Sequence, residues 1–84
     1  MIDGPKLTEG QLAVLMCDGA TGHVLTTEGK VYLLDKSPVY FVFDDMNVAR
    51  NYIRSFQEMN NTLEFTIYDC KDEFVEFWKS PKWT

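Results

Sequence analysis

Asp44 and Asp45 stand side by side in VYFVFDDMNVARNYIRSF, where an apolar run stops and a different periodicity begins. Adjacent carboxylates at a strand end can hold divalent cations, orient phosphoryl groups or move protons, but each chemistry needs more than the pair. A calcium loop begun at Asp45 requires a glycine at its sixth position and a bidentate glutamate at its twelfth, where this chain has Arg50 and Phe56. A phospho-acceptor centre requires further acids and a lysine converging from other strand ends. The role that needs nothing else is at the backbone. One aspartate accepts the free amide hydrogens of a helix's first turn, and the other favours the positive end of the helix dipole. Capping is the expectation for this pair.

The other reactive types are sparse or badly spaced. His23 is the sole histidine, which removes most zinc sites, because one imidazole and the two distant thiols of Cys17 and Cys70 make no recognised ligand set. It also removes a triad with a spare base. Asp18, Asp35, Asp69 and Asp72 fall at strand ends and turns, where an aspartate bonds its own backbone. The stretch DGATG has no lysine or helix start after it, and TTEGKV lacks the upstream glycine and the hydroxyl residue of a phosphate-binding loop. Both read as hairpin loops. No catalytic residue, metal site or cofactor is expected.

Two features are better suited to recognition. Arg50 and Arg54 lie one helical turn apart and could clamp a carboxylate or phosphate. The tail EFVEFWKSPKWT concentrates Phe74, Phe77, Trp78 and Trp83 in the last eleven residues. If Val75 and Phe77 face inward, then Phe74 and Trp78 point to the opposite face of a sheet. Tryptophan is enriched at binding hot spots, so Trp78, Trp83, Phe74, Arg50 and Arg54 are the candidate protein-binding residues.

The elements that position these residues follow from periodicity. LTEGQLAVLMCDG carries helix signals over about 9–18: Thr8 as N-cap, Gln11 three residues on, Leu7 and Leu12 as a staple, and Gly19 as a stop. LAVLMC is also the length of a buried strand, and the helix is the reading taken. HVLTT and KVYLL flank Glu28–Gly29 and predict a hairpin. VYFVF, apolar throughout, suits a central strand. Over about 45–60, Met46, Val48, Ala49, Tyr52, Ile53, Phe56 and Met59 share one arc of a helix, with Asn51, Arg54 and Glu58 opposite. TLEFTIYD alternates with Leu63, Phe65 and Ile67 inward, and EFVEFW returns as its hairpin partner. The expected fold is α+β: a four- to five-stranded mixed or antiparallel sheet packed by one main helix, with VYFVF and TLEFTIY able to run parallel across the helical crossover.

Eighty-four residues make one domain, 1–84, and 45% hydrophobic content is that of a globular chain. Thirteen acids against eight scattered bases give a formal charge of −5, which disfavours nucleic acid and anionic membrane as partners. The first ten residues lack the basic-then-apolar order of a signal peptide, and no apolar run approaches the length of a membrane span. A cytoplasmic location with free thiols is expected.

These observations fit a non-enzymatic acidic module that binds another protein, including an inhibitor or immunity-type antidote whose acidity complements a basic target. The alternatives are a structural homo-oligomer using an uncovered sheet face, such as a homodimer, and a small-molecule or metal-binding domain built on the aspartates.

Overall fold

Leu12–Asp18 form a strand, β1, where the sequence signals favoured a helix over 9–18. The computed structural model describes residues 5–34 and 37–83. The bonds that suggested a capping box are present, but they close a turn. The Thr8 amide donates to Gln11 Oε1 at 2.9 Å and the Gln11 amide to the Thr8 carbonyl at 3.1 Å, with Gly10 at φ +88°. A glycine at positive φ ends a helix before it starts, and the chain leaves the turn extended. Once extended, β1 is paired along both edges, and Leu12, Ala13, Val14 and Met16 are buried. Tertiary pairing outweighs the local helix signals.

The remaining elements are β2 (Tyr40–Phe43), α1 (Met46–Met59), β3 (Leu63–Tyr68) and β4 (Phe74–Trp78), followed by a short 3₁₀ turn at Pro81–Trp83. The sheet order is β2-β1-β3-β4 and every neighbouring pair is antiparallel. β2 and β3 do run in the same direction, as a helical crossover requires, but β1 lies between them and they share no ladder. VYFVF is therefore an edge strand, with Val42 exposed.

The predicted hairpin from His23 to Leu34 is reduced to two isolated bridges, Cys17↔Val24 and Leu25↔Val31. Residues 23–25 occupy the edge of β1 beyond the end of β2, with the Leu25 amide on the Met16 carbonyl at 2.9 Å. The chain then turns tightly over Thr26–Lys30, with Gly29 at φ +84°, the Tyr32 amide donates to the Val24 carbonyl at 2.9 Å, and Leu33 and Leu34 follow exposed.

The core lies between α1 and one face of the sheet. Val14, Met16, Ile53, Phe65, Ile67 and Ala49 are each at most 1% exposed, and Phe41, Phe43, Met46, Phe56 and Trp78 close around them. Phe41, Phe43, Tyr52 and Phe56 form a chain of tilted rings with centroids 4.7–5.7 Å apart. The alternation predicted for β3 is present: Leu63, Phe65 and Ile67 are buried. Val48 and Met59 do not share in this core, although the helical projection placed them on the apolar arc. They flank the ridge of Ala49 and Ile53 that meets the sheet, and Met59, at the last turn, is 84% exposed. No helix among the described residues is long and apolar enough to cross a membrane.

Candidate functional site

The join between β2 and α1 divides the aspartate pair. Asp45 is the N-cap of α1, and its Oδ1 accepts the amides of Asn47 at 2.7 Å and Val48 at 3.2 Å. Asp44 instead accepts a hydrogen bond from the Gln11 side chain at 2.8 Å, tying β2 to the turn that precedes β1. Among the described residues no three of His, Cys, Asp and Glu are grouped so as to hold a metal ion. His23 is exposed and its ring Nδ1 lies 2.9 Å from Thr21 Oγ1. Asp35 lies outside the described residues.

Arg50, Arg54 and Trp78, expected as contacts for a partner, are engaged within the chain. Arg50 on α1 forms a bidentate pair with Glu76 on β4. The Trp78 indole nitrogen donates to the same carboxylate at 2.9 Å. The hydrogen bond from Arg50, then that from Trp78, holds the Glu76 carboxyl below its usual range, while Glu76 pushes the Arg50 guanidinium up. One turn further on, the Arg54 guanidinium carbon lies 5.4 Å from the Trp78 ring centroid. This network fastens the helix to the outer strand. It needs a glutamate on the helix side of β4, a feature that the alternation of EFVEFW concealed.

The concealment has a structural cause. The ladder between β3 and β4 shifts register between Ile67 and Tyr68, so that Ile67 faces Glu76 and Tyr68 faces Phe74. The shift inserts Val75 as an extra residue. Trp78 and Glu76 therefore point towards the helix, while Phe74 and Phe77 share the other face. This reverses the expectation that Val75 and Phe77 turn inward with Trp78 on the far side. The Trp83 side chain lies outside what is described; its backbone belongs to the turn that the Lys82 amide fastens to the Asn61 carbonyl at 3.1 Å.

Among the described residues no helix covers that second face. Two adjacent rows of its side chains run across the strands, Val42, Ala13, Tyr68 and Phe74, then Tyr40, Leu15, Thr66 and Phe77, with Cys17 and Glu64 beyond them. Thr66 alone in these rows is neither aliphatic nor aromatic. Antiparallel sheets with one free face normally alternate polar side chains onto it. Here Phe74 is 62% exposed, Phe77 52% and Val42 45%. Contiguous exposed apolar side chains of this kind are uncommon on a small monomeric domain.

At one corner the face deepens into a cavity of about 320 Å³ lined by Pro5, Leu7, Ala13, Tyr40 and the Asp69–Cys70–Asp72 turn. The Tyr40 and Tyr68 rings meet edge to face there, with centroids 6.4 Å apart. The Asp69 carboxylate orders the turn, its Oδ1 accepting the Lys71 amide at 2.9 Å and the Glu73 amide at 3.0 Å. Asp72 adopts φ 61°.

No known protein family, curated protein or solved structure matches the chain. What the site can do must be read from its own chemistry.

At the far end of the same face, burial and then the neighbouring Glu64 carboxylate push the Cys17 thiol up, so it is a poor nucleophile at neutral pH. Sequence reasoning pointed to the aromatic tail and to an uncovered sheet face, but did not say which side chains of the other strands line that face. The signal available was the pair of apolar stretches LAVLMC and VYFVF, which place aliphatic and aromatic residues at both alternating sets of positions. A strand that is apolar on both faces, packed by a helix on one, carries apolar side chains onto the other as well.

Proposed function

We propose that this chain is a non-enzymatic binding module that docks another protein on the helix-free face of its sheet. The observation that carries the reading is a pair of adjacent rows on that face, led by Phe74, Phe77 and Val42, that are aliphatic or aromatic at every position except Thr66. Large rigid rings standing on a pre-formed sheet contribute contact area at low entropic cost, which is what hot-spot residues do. Phe74 and Phe77 are the anchors. Trp78, Arg50 and Arg54 serve the same surface at one remove, by fastening β4 to the helix so that its outer face stays fixed.

The acidity of the chain, formally −5, suits a basic partner and would speed its association. An inhibitor, in the manner of an immunity-type antidote, is the finer form of this reading. The two cysteines are free thiols, which suits a reducing compartment, and the reading places the protein in the cytoplasm.

Homo-oligomerisation through the same face is the competing occupant. Sedimentation across a wide concentration range and photo-crosslinking test both. A photoreactive residue at position 77 should capture a discrete heterologous protein from the source cell, and one at the exposed helix position 51 should not. A second copy as the sole adduct, with concentration-dependent sedimentation, would transfer the face to a homodimer. Equal capture from both positions would overturn the docking reading.

A further inference from the structure

The charge of this protein is not spread evenly. Strand direction brings the turn before β1, the β2–α1 join and the β3–β4 turn to one end of the sheet. Those segments carry Glu9, Asp44, Asp45, Asp69, Asp72 and Glu73 against Lys6 and Lys71. Six carboxylates less two ammonium groups leave −4 there, nearly all of the chain's formal −5. The apolar face opens onto this end, and the cavity of about 320 Å³ lies where the two meet.

Resting on the docking reading above, we propose that this cavity receives a cationic side chain, an arginine or lysine, from the partner protein, while apolar residues beside it cover Phe74 and Phe77. The walls match that side chain along its length. Pro5, Leu7 and Ala13 offer apolar surface to an aliphatic stem, and Tyr40, Asp69 and Asp72 add an aromatic ring and two acidic residues to the lining. The volume, about 320 Å³, is at the small end of ligand sites and has room for one long side chain. Asp69 uses Oδ1 for the turn amides, and a carboxylate has a second oxygen to offer a donor. The surrounding negative potential draws a basic partner in, and the apolar rows retain it.

The test is an NMR titration of the full-length protein with three capped tripeptides at millimolar concentration: acetyl-Phe-Arg-Leu-amide, its neutral citrulline counterpart and its glutamate counterpart. The arginine peptide should perturb Tyr40, Cys70 and Asp72. The citrulline peptide should bind about tenfold more weakly, and the glutamate peptide more weakly still. Asp72→Asn keeps the shape and suits the left-handed backbone there, so the fold should survive. That variant should bring the arginine peptide down towards the citrulline value and leave citrulline binding unchanged. Equal binding of arginine and citrulline peptides over Tyr68 and Phe77 would overturn the cation site and leave the docking face standing. Absence of shifts with the arginine peptide would overturn the cation site alone. Failure of crosslinking from position 77 is the separate result that removes the docking face.

Discussion

Phe74 and Phe77 stand on the same face of the sheet although they are three positions apart, an odd spacing that would put them on opposite faces of a regular strand. Val75 is the extra residue that makes this so, and Tyr68 and Thr66 are their partners across the ladder. The bulge brings Phe74 and Phe77 outward together and gives Glu76, with Trp78, to the helix side.

If those rings are there for contact, losing one should cost the fold little. Phe77 is half exposed, so Phe77→Ser should destabilise by about 1–2 kcal/mol, and the more exposed Phe74→Ser by less. Phe65, fully buried beneath α1, should cost about 3–5 kcal/mol on truncation to alanine. Urea unfolding of the three variants checks the order. Binding of a hydrophobic dye should fall in the first two and not follow stability. If Phe77→Ser proved as costly as Phe65→Ala, the face would be core.

Asp45 and Asp44 should separate in the same assay. Asp45→Ala removes the acceptor for two amides at the start of α1 and should cost about 1 kcal/mol. Asp44→Ala removes one exposed side-chain bond to Gln11 and should cost about 0.5 kcal/mol. Asp45→Asn should recover most of the loss, since a cap needs an acceptor more than a charge. Equal effects at the two positions would mean that the cap is not the source of the stability.

How far these roles could be read in advance depends on how local their causes are. The α1 boundaries were legible because Asp45 and the Asn60–Asn61 pair are local signals that agree with the apolar arc between them. The β3 alternation was legible for the same reason. β1 was misread because Thr8 and Gln11 form their reciprocal bonds equally well in a turn, and only pairing with β2 and β3, distant in sequence, decides between helix and strand. The face assignment of β4 failed at one residue, Val75, because a bulge is a property of two strands and leaves no mark in either alone. Of the candidate residues, Trp78, Arg50 and Arg54 are engaged within the chain, while Phe74, like Phe77, stands exposed on the helix-free face.

Gly19 should be intolerant of a side chain for a reason unrelated to turn conformation. A Cβ there would lie 2.8 Å from the Thr62 carbonyl oxygen and 3.0 Å from two carbons of Glu64. The Gly19 amide also donates to that carbonyl at 2.7 Å, so neither backbone can retreat without breaking the bond. Gly19→Ala should cost about 1–3 kcal/mol by overpacking. A neutral result in thermal unfolding would show that the end of β1 is free to shift.

Glu76 gives the fold a pH dependence whose sign is fixed. Its carboxyl titrates below the usual glutamate range because Arg50 and Trp78 donate to the charged form. A folded-state value lower than the unfolded one means that the unfolded chain binds the proton more readily. The contribution is therefore fully present above the ordinary glutamate range and is lost as pH falls through the depressed value. Wild type should exceed Glu76→Gln in urea midpoint at pH 7, and the gap should close progressively in acid below about pH 4. Arg50→Met should show the same closing gap, because it removes the principal donor. A gap independent of pH in either variant would assign the effect to packing against Trp78 instead of to charge. Because this pair fastens β4, opening it should also raise amide exchange along Phe74–Trp78 before the rest of the sheet is affected.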